Sequence, residues 1–355
     1  MRPITSRQAR IMISPYYEED GVELYCGDAL SILQLLPAES VDMVMTSPPY
    51  YGLRNYHVDG QIGLEAIPLE YLQKLWTVFN EVKRVLKNNG TIWVNIGDTY
   101  GGSSNGSWNA PIQIIDQKYL TPPRKTQSQK KCLLLVPERF AIGMTERGWV
   151  LRNRICWYKP NHMPSSVQDR FTCTWDYLYF FTKREKYYFN LDVVRIKMKN
   201  TSPDGSPDNK YLFANKKING ARIDLRPKEY RNKVMELTDK GIISGSGRIR
   251  AFFNNFSGKT NLKGKNPGDH WSINTRGFSG SHFATYPKKL CEIPILAGCP
   301  EGGTVLDMFS GSGTTGIVAK ELRRNCILID LSELYCELAK QRIKQTIKPL
   351  FVISQ

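Results

Sequence analysis

The segment that decides the fold is Val305-Leu306-Asp307-Met308-Phe309-Ser310-Gly311-Ser312-Gly313-Thr314-Thr315, in which a glycine-rich turn joins an apolar strand to a helix. Glycines allow the backbone to approach a ligand closely, and the helix N-terminus presents free N–H groups. Asp307 ends the strand before the turn. Asp330 ends the next apolar strand, 17 residues after Gly313, where an acidic side chain is expected to hydrogen-bond the diol of a ribose. The segment therefore predicts a nucleoside-binding turn.

Two common nucleotide-binding motifs are absent from this turn. No lysine follows it in a G-K-[ST] arrangement, which excludes a P-loop, and Gly316 falls at the wrong interval for the third glycine of a dinucleotide-binding G-x-G-x-x-G. Both of those motifs hold the phosphates of a nucleotide. A nucleoside ligand without a pyrophosphate fits the turn better, and S-adenosylmethionine is such a ligand.

Strands and helices alternate on both sides of the turn. The pattern predicts strands at 22–25, 41–46, 91–96, 149–158, 177–181, 304–308 and 326–330. It predicts helices at 29–36, 68–87, 136–147, 287–297, 313–324 and onward from residue 332, and Asn88-Asn89-Gly90 is typical of a helix C-cap. The stretch 97–131, rich in Gly, Ser, Asn and Pro, is typical of a long loop. This alternation predicts an α/β fold with a mostly parallel, doubly wound sheet.

Basic residues are concentrated in one part of the chain. The 355 residues include 49 Lys plus Arg and 33 Asp plus Glu, a formal net charge of +16. Residues 191–280 hold 18 of the basic residues against 8 of the acidic ones, a net charge of +10, and their hydrophobic periodicity is weak. A surplus of this size favours a polyanionic partner. We therefore predict a core formed by residues 1–190 and 281–355, with a basic insert at 191–280.

Composition also indicates the cellular compartment of the protein. No apolar run approaches the roughly 20 residues that span a bilayer, and the N-terminus lacks the apolar stretch of a signal peptide. The eight cysteines include no C-x-x-C pair, and with four histidines in the chain we expect no metal site. Reduced thiols fit a reducing compartment. We expect a soluble cytoplasmic protein.

A second motif, Thr46-Ser47-Pro48-Pro49-Tyr50, directly follows the predicted buried strand at 41–46. That position is the carboxyl end of a parallel strand, where such sheets bind ligands. Consecutive prolines fix φ and remove N–H donors, which leaves a rigid row of carbonyl acceptors. The Ser47 hydroxyl and the Pro48 carbonyl would accept hydrogen bonds from an exocyclic amine and aim its lone pair at a methyl donor, while Tyr50 offers a face for stacking a flipped base. The motif predicts methyl transfer to an amino nitrogen.

Together these residues resemble the amino-methyltransferase family of DNA modification enzymes, which carries S/D/N-P-P-Y and F-x-G-x-G motifs. The resemblance covers most of the chain, and the catalytic motif precedes the cofactor turn, as in the circularly permuted β group of the family. It implies a Rossmann-like S-adenosylmethionine-dependent methyltransferase fold, circularly permuted, in which residues 191–280 form the target-recognition insert. Residues 281–355 then form the cofactor-binding part of the core, and residues 1–190 form the catalytic part. In this family serine before Pro-Pro-Tyr goes mostly with cytosine N4, and aspartate mostly with adenine N6.

The motifs and the resemblance assign candidate site residues to three groups. The catalytic candidates are Ser47, Pro48, Pro49 and Tyr50. The cofactor-binding candidates are Asp28, Ala29, Thr46, Thr285, Asp307, Phe309, Ser310, Gly311, Ser312, Gly313, Thr314 and Asp330. The DNA-binding candidates are Arg54, Tyr56, Lys216, Lys217, Arg222, Arg226, Arg248 and Arg250. The segment 155–161, Ile-Cys-Trp-Tyr-Lys-Pro-Asn, is similar to the one that lines the base pocket in the family.

The sequence therefore predicts a site-specific methyltransferase that flips cytosine out of duplex DNA and methylates its N4 amino group. Three alternatives stay open: the same enzyme acting on adenine N6, a methyltransferase acting on RNA or protein glutamine, and a DNA-binding protein that has lost catalysis. Cytosine C5 chemistry is disfavoured because the chain has no Pro-Cys pair. The resemblance further implies a prokaryotic or phage-encoded monomer or homodimer, in some cases paired with a cognate restriction endonuclease.

Overall fold

The computed structural model describes residues 14–53, 55–56, 58–102, 129–197, 263–275, 286–347 and 349, together with the backbone of 217–218 and 221–222. Its strands are β1 (Tyr17–Glu19), β2 (Val22–Cys26), β3 (Val41–Thr46), β4 (Leu86–Ile96), β5 (Val150–Tyr158), β6 (Trp175–Thr182), β7 (Lys217–Ile218), β8 (Ala221–Arg222), β9 (His270–Ser272), β10 (Thr304–Asp307) and β11 (Asn325–Asp330). Its helices are α1 (Ala29–Leu35), α2 (Pro68–Val85), α3 (Val136–Glu146), α4 (Lys288–Gly298), α5 (Thr314–Glu321) and α6 (Glu333–Lys344).

Nine of the described strands form one mixed sheet in the order β1-β2-β11-β10-β3-β4-β6-β5-β9. Strands β2, β11, β10, β3 and β4 run parallel, while β6 is antiparallel to both β4 and β5. From β10 the chain continues outward to β11, and from β3 it continues in the other direction to β4. Strands β10 and β3 therefore flank the topological switch point, where doubly wound sheets bind ligands.

Helices cover both faces of the sheet. On one face α1, α2 and α3 pack through Leu33, Phe79 and Phe140, and on the other face α4, α5 and α6 pack through Leu290, Ile317 and Ile343, with smaller neighbours. Because successive side chains of a strand point to opposite faces, a strand buried on both sides is apolar throughout. This arrangement explains the near-continuous apolar run of β3, which includes the polar residues Asp42 and Thr46, and gives the predicted α/β architecture in three layers.

The predicted helix cap at Asn88-Asn89-Gly90 is wrong. Helix α2 ends at Val85, and Leu86 already pairs with Val41 as the first residue of β4. Residues 87–90 then stand opposite Asp42 alone, because the next pair in the register is Met43 with Thr91. Glycine is needed at 90, where a Cβ atom would lie 2.6 Å from Leu86 Cδ1 and 3.0 Å from the Asp42 carbonyl oxygen. A glycine at a strand bulge has the same local signature as a glycine at a helix C-cap.

The chain divides into two compact units, Met1–Val194 with Gly268–Gln355, and Arg195–Pro267. Within the second unit Ile196 and Lys265 form two backbone hydrogen bonds of 3.0 Å, and β7 pairs with β8. The insert predicted from the sequence ends at residue 280. Strand β9 lies inside that range, but it pairs with β5 in the first unit. Burial of Trp271 explains the difference, since its ring stacks on Trp93 with a centroid separation of 6.5 Å.

None of the helices in the described ranges combines the length and the apolar character needed to span a membrane.

Candidate active site

The two motifs of the sequence lie side by side at the carboxyl edge of the sheet. Residues 47–50 directly follow β3 and the glycine-rich turn directly follows β10, and these strands pair through Met43 with Val305 and Val44 with Leu306. The Thr46 hydroxyl at the end of β3 donates a hydrogen bond of 2.7 Å to Asp307 Oδ1 at the end of β10. This contact ties the start of one motif to the start of the other.

Asp307 is fully buried and is surrounded by donors. Besides Thr46, its carboxylate accepts hydrogen bonds from the Tyr286 hydroxyl at 2.9 Å, the Thr315 hydroxyl at 2.5 Å and the Phe309 backbone N–H at 3.1 Å. Burial raises the pKa of the Asp307 carboxyl, and the three side-chain hydrogen bonds oppose that rise. Four donors occupy about as many positions as an ionised carboxylate offers.

The glycine-rich turn requires its two glycines. Gly311 and Gly313 both have a positive φ, +50° and +75°, and Gly313 directly precedes α5. A Cβ atom at 313 would lie 2.8 Å from Ala339 Cβ on α6, so the turn also sits closely against that helix. Arg342 of α6 donates to both the carbonyl and the hydroxyl of Ser312. The turn is held from the helix side, which leaves its other side for a ligand.

Asp330 faces the same turn from the end of the neighbouring strand β11. Its carboxylate accepts hydrogen bonds from the Gly311 N–H at 2.7 Å and the Ser332 N–H at 2.9 Å. Burial, with a smaller contribution from the charge on Asp307, raises the pKa of the Asp330 carboxyl to about 6. Two acceptor positions of this carboxylate remain for other donors.

Ser310 carries a buried polar atom to which no described residue forms a hydrogen bond. Its hydroxyl oxygen has no hydrogen-bond partner among the described residues, and the side chain is almost fully buried. Buried hydroxyls are normally hydrogen-bonded, so this hydroxyl suits a polar atom of a ligand bound in the glycine-rich turn.

The third strand at this edge is β2, which pairs with β11. Gly27 N–H donates to the Asp330 carbonyl at 2.8 Å, so the segment after β2 lies beside the end of β11. Asp28 is the N-cap of α1 and accepts from both the backbone N–H and the hydroxyl of Ser31 through Oδ1. Ala29 is buried as the first residue of α1.

Tyr50 is fixed by polar contacts from two strands. Its hydroxyl is 3.0 Å from Asn95 Oδ1 and 3.3 Å from Asp176 Oδ2, and Asp176 also forms an ion pair with Lys159. Burial and the charge on Asp176 raise the pKa of the Tyr50 phenol well above its usual value, so the phenol stays neutral. Its ring lies against Gly97, where a Cβ atom would come within 2.2 Å of the ring.

The two proline carbonyls of the motif have different surroundings. The Pro49 carbonyl accepts a hydrogen bond of 2.8 Å from the buried Tyr71 hydroxyl. No described residue donates to the Pro48 carbonyl. Because Pro48 O has no donor among the described residues, it is the backbone acceptor of this motif that suits a bound amine.

Other predicted site residues are only partly placed. Phe309 packs against the core cluster on the α1–α3 face, and Thr314 is buried at the start of α5. The ring of Tyr56 meets that of Tyr335 edge to face at 5.7 Å, and so contacts the first turn of α6. For Lys217 and Arg222 only the backbone pair between β7 and β8 is described. The remaining candidates lie outside the described residues: Arg54, Lys216, Arg226, Arg248, Arg250 and Thr285.

The sequence did not assign a role in the site to several residues that shape it. Tyr286 and Thr315 hold Asp307, Asn95 and Asp176 hold Tyr50, and Gly97 makes room for the Tyr50 ring. Of these residues, Asn95 could have been identified from the sequence, because it is a polar residue inside the apolar run of β4. The others become visible only when the strands are placed side by side.

Comparisons with known proteins agree with this geometry. A family model described as DNA methylase, of the N6/N4 methyltransferase type, matches residues 41–341. The Type II methyltransferase M.Cfr9I of Citrobacter freundii is 36% identical over 92% of this chain and 89% of its own length.

Two solved structures share the fold. One is the PvuII DNA methyltransferase (cytosine-N4-specific), with a TM-score of 0.60 at 18% identity, covering 93% of this chain and 89% of that one. The other is a putative DNA modification methylase from Thermus thermophilus in complex with S-adenosylmethionine, with a TM-score of 0.51 at 19% identity, covering 93% of this chain and 96% of that one. With a family model matched over most of its length and a relative of this similarity, the chain belongs to the N6/N4 DNA methylase family and is a DNA methyltransferase.

Proposed function

We propose that this enzyme transfers the methyl group of S-adenosylmethionine to the N4 amino group of cytosine in duplex DNA, after flipping the base out of the helix. The observation that carries the proposal is the hydrogen bond between Thr46 and Asp307, which joins the Ser-Pro-Pro-Tyr motif to the glycine-rich turn. The preference for cytosine is supported by Ser47, because serine at this position goes mostly with cytosine N4 in the family that the motifs resemble.

The residues around the glycine-rich turn fit S-adenosylmethionine. When bound there, this cofactor supplies an electrophilic methyl group on a sulfonium. The remaining acceptor positions of Asp330 suit the ribose hydroxyls. Asp28 Oδ2, to which no described residue donates a hydrogen bond, suits the exocyclic amine of adenine. Gly311 and Gly313 allow close approach of the backbone, and the Ser310 hydroxyl gains a hydrogen-bond partner that no described residue provides.

Asp307 and Thr46 have a different role in this proposal from the one that the sequence suggested. The carboxylate of Asp307 already accepts four hydrogen bonds, so we propose that it positions the turn and does not contact the cofactor. Thr46 donates its hydroxyl to that carboxylate and therefore links the motif to the turn.

The Ser-Pro-Pro-Tyr motif then prepares the amine. Hydrogen bonds from the amine to the Ser47 hydroxyl and the Pro48 carbonyl draw its lone pair out of conjugation with the ring and direct it at the methyl group. Tyr50, whose hydroxyl is anchored by Asn95 and Asp176, presents a fixed aromatic ring against which the base stacks. Transfer would form the bond between the amine nitrogen and the methyl carbon as the bond from that carbon to the sulfonium sulfur breaks, with its electron pair left on the sulfur. The nitrogen would then lose a proton to Ser47 or solvent.

The basic insert supplies the DNA contacts in this proposal. Its net charge of +10 suits the phosphates of a duplex, and individual arginines are available to read guanine in the major groove. Lys216, Lys217, Arg222, Arg226, Arg248 and Arg250 are its candidate contacts, with Arg54 and Tyr56 beside the motif. A paired restriction endonuclease is part of the same proposal, since M.Cfr9I is named a Type II methyltransferase.

Labelled methyl transfer tests the proposal. The purified protein is incubated with labelled S-adenosylmethionine and, in separate reactions, duplex DNA, RNA and unfolded protein, and the DNA product is digested to nucleosides. We expect label in duplex DNA as N4-methylcytosine, and a Pro48→Ala variant that still binds the cofactor should incorporate far less. Label in RNA or protein alone would overturn the choice of substrate.

A further inference from the structure

One loop of the protein borders the catalytic motif and is not used by the proposed chemistry. It connects β5 to β6, spans residues 159–174, and is called here the catalytic-edge loop. It begins at Lys159 and ends two residues before Asp176, the two residues whose ion pair lies beside the Tyr50 hydroxyl. Both ends of the loop are therefore fixed next to the predicted base pocket.

The catalytic-edge loop is anchored to the core along its length. Asn161 and Thr275 form a two-way clamp, in which the Asn161 amide donates to the Thr275 carbonyl and its oxygen accepts from the Thr275 N–H, both at 2.8 Å. The Arg170 guanidinium lies 3.9 Å from the centre of the Tyr100 ring and donates to the Phe171 carbonyl at 3.1 Å. The contacts of Arg170 hold the backbone next to Phe171 in one position.

Phe171 projects from this anchored loop into solvent. Its side chain is 97% exposed, the largest value among the large apolar side chains in the part of the chain that the structure describes. An isolated exposed apolar side chain is common, but one held on a clamped loop at a catalytic edge is placed for contact with a partner. Phe171 lies five positions before Asp176, so its Cα is within about 18 Å of the Cα of Asp176, which anchors the Tyr50 hydroxyl.

We propose that Phe171 is the wedge that enters the DNA duplex and stacks in the space that the flipped base leaves. This inference rests on the proposed function, and duplex DNA is the occupant of the loop. Aromatic side chains stack on any base because every base has an apolar face, and apolar wedges between base steps are a general means of opening a duplex. Arg170, next to Phe171 in the chain, is a cation that suits a phosphate beside such a wedge, whereas Lys131 is already paired with Asp169 at 2.6 Å.

The proposal assigns separate tasks to two aromatic residues. Tyr50 is held by its hydroxyl inside the site and stacks on the base that leaves the helix. Phe171 lies outside the site and keeps the remaining bases stacked. Removing the Phe171 ring should therefore make flipping less favourable without changing the binding of S-adenosylmethionine, because Phe171 lies on the loop between β5 and β6, whereas the cofactor turn follows β10.

The test compares Phe171→Ala and Phe171→Leu with Ile347→Ala, a matched control at an apolar residue that is 85% exposed and follows the C-terminal end of α6. The substrate is a synthetic duplex carrying a methylation site mapped with the wild-type protein. In a second duplex the partner of the target base is replaced by an abasic site, so that no base pair has to be opened. The readouts are kcat/KM for methyl transfer and the Kd for S-adenosylmethionine.

We expect Phe171→Ala to lower kcat/KM on the paired duplex by about 10- to 100-fold. This loss corresponds to part of the free energy needed to unpair the target base. On the abasic duplex, Phe171→Ala should approach wild-type activity. On the paired duplex, Phe171→Leu should lose less activity than Phe171→Ala. Ile347→Ala should match the wild-type protein on both duplexes. Wild-type activity of Phe171→Ala on the paired duplex, or an equal loss on both duplexes, would overturn the wedge alone. Failure of the wild-type protein to methylate any duplex DNA, so that no site can be mapped, would overturn the proposed function as well.

Discussion

At the scale of single residues, the two acids flanking the glycine-rich turn have different surroundings. Asp307 accepts four hydrogen bonds from its own protein, whereas Asp330 accepts two, both from backbone N–H groups. The sequence indicates both acids from their positions at strand ends. It does not distinguish the acid that we propose positions the turn from the acid that we propose binds the cofactor, because the hydrogen bonds from Tyr286 and Thr315 to Asp307 form only in the folded chain.

The pKa of Asp330 predicts how cofactor binding depends on pH. Its carboxyl has a pKa of about 6, raised by burial, and we propose that the ionised form accepts hydrogen bonds from the ribose. Below pH 6 the carboxyl gains a proton and loses acceptor capacity, so the Kd for S-adenosylmethionine should rise by about tenfold per pH unit. Calorimetric titration between pH 5 and pH 8, a range chosen to bracket the pKa of about 6, measures this dependence.

The sign of the linkage separates this effect from unfolding. The folded-state pKa of Asp330 lies above its ordinary value of 3.8, so protonation of this group favours the folded protein, and that contribution is lost as pH rises through 6. Weaker binding at low pH therefore does not arise from destabilisation by Asp330 itself. The Asp330→Asn variant is the control and should bind weakly with little dependence on pH. A wild-type Kd that stays constant across this range would contradict the role given to Asp330.

The Thr46 hydroxyl should matter for stability. Replacing Thr46 with valine keeps the shape of the side chain but removes one of the four donors to the buried Asp307 carboxylate. Leaving a buried acceptor without its donor costs about 1–3 kcal/mol, so the Thr46→Val variant should unfold at a lower urea concentration. The Thr46→Ser variant, which keeps the hydroxyl, should lose clearly less. Equal stability of Thr46→Val and wild type would show that this contact is not needed.

At the scale of elements, the order and type of the strands and helices follow from sequence periodicity. The bounds of β3 agree with the prediction residue for residue, because its apolar run is bounded by Ser40 on one side and by the Ser-Pro-Pro motif on the other. The start of β4 does not agree, since the glycine at 90 serves a bulge and not a helix cap. Strand β9 was also not predicted, because a three-residue strand is too short to show the alternation of apolar and polar residues that is typical of strands.

Helix α3 depends on an acid from outside the helix. Its N-cap residue Leu135 has a left-handed conformation and offers no side-chain cap, and Asp98 from the segment after β4 accepts from the N–H groups of Leu135 and Val136 at 3.0 and 3.1 Å. Replacing Asp98 with alanine should therefore lower the free energy of unfolding by about 1 kcal/mol. Urea denaturation measures the loss. The Asp98→Asn variant keeps an acceptor and should lie close to wild type, and a full loss in both variants would contradict capping.

At the scale of the whole molecule, the division into two units suggests a separation of tasks. The first unit contains both motifs, while the second, Arg195–Pro267, falls within the most basic part of the sequence. The sequence indicates this division through the change in composition, but it cannot fix the boundary, because the return of the chain to the core depends on the burial of Trp271. The backbone pair of Ile196 with Lys265 brings the two ends of the second unit together.

Excision of the basic unit tests that separation. Replacing residues 197–264 with a short Gly-Ser linker joins two positions that already pair, so the core should fold and bind S-adenosylmethionine with an unchanged Kd. Its affinity for duplex DNA should fall, and the dependence of that affinity on salt concentration should become shallower, because phosphate contacts are lost. Filter binding at several salt concentrations measures both. Full retention of site-specific methylation by the excised protein would contradict the role of the insert.

The most direct test of the proposed reaction is the identity of the methylated nucleoside. The wild-type protein is incubated with S-adenosylmethionine and unmethylated genomic DNA. The DNA is then digested to nucleosides, which are separated and identified by mass spectrometry against synthetic standards. We predict N4-methylcytosine, with no N6-methyladenine above the level in DNA incubated without enzyme. N6-methyladenine as the product would keep the fold and the cofactor site but contradict the base that Ser47 indicates. Neither product, from a protein that binds the cofactor, would contradict the proposed reaction itself.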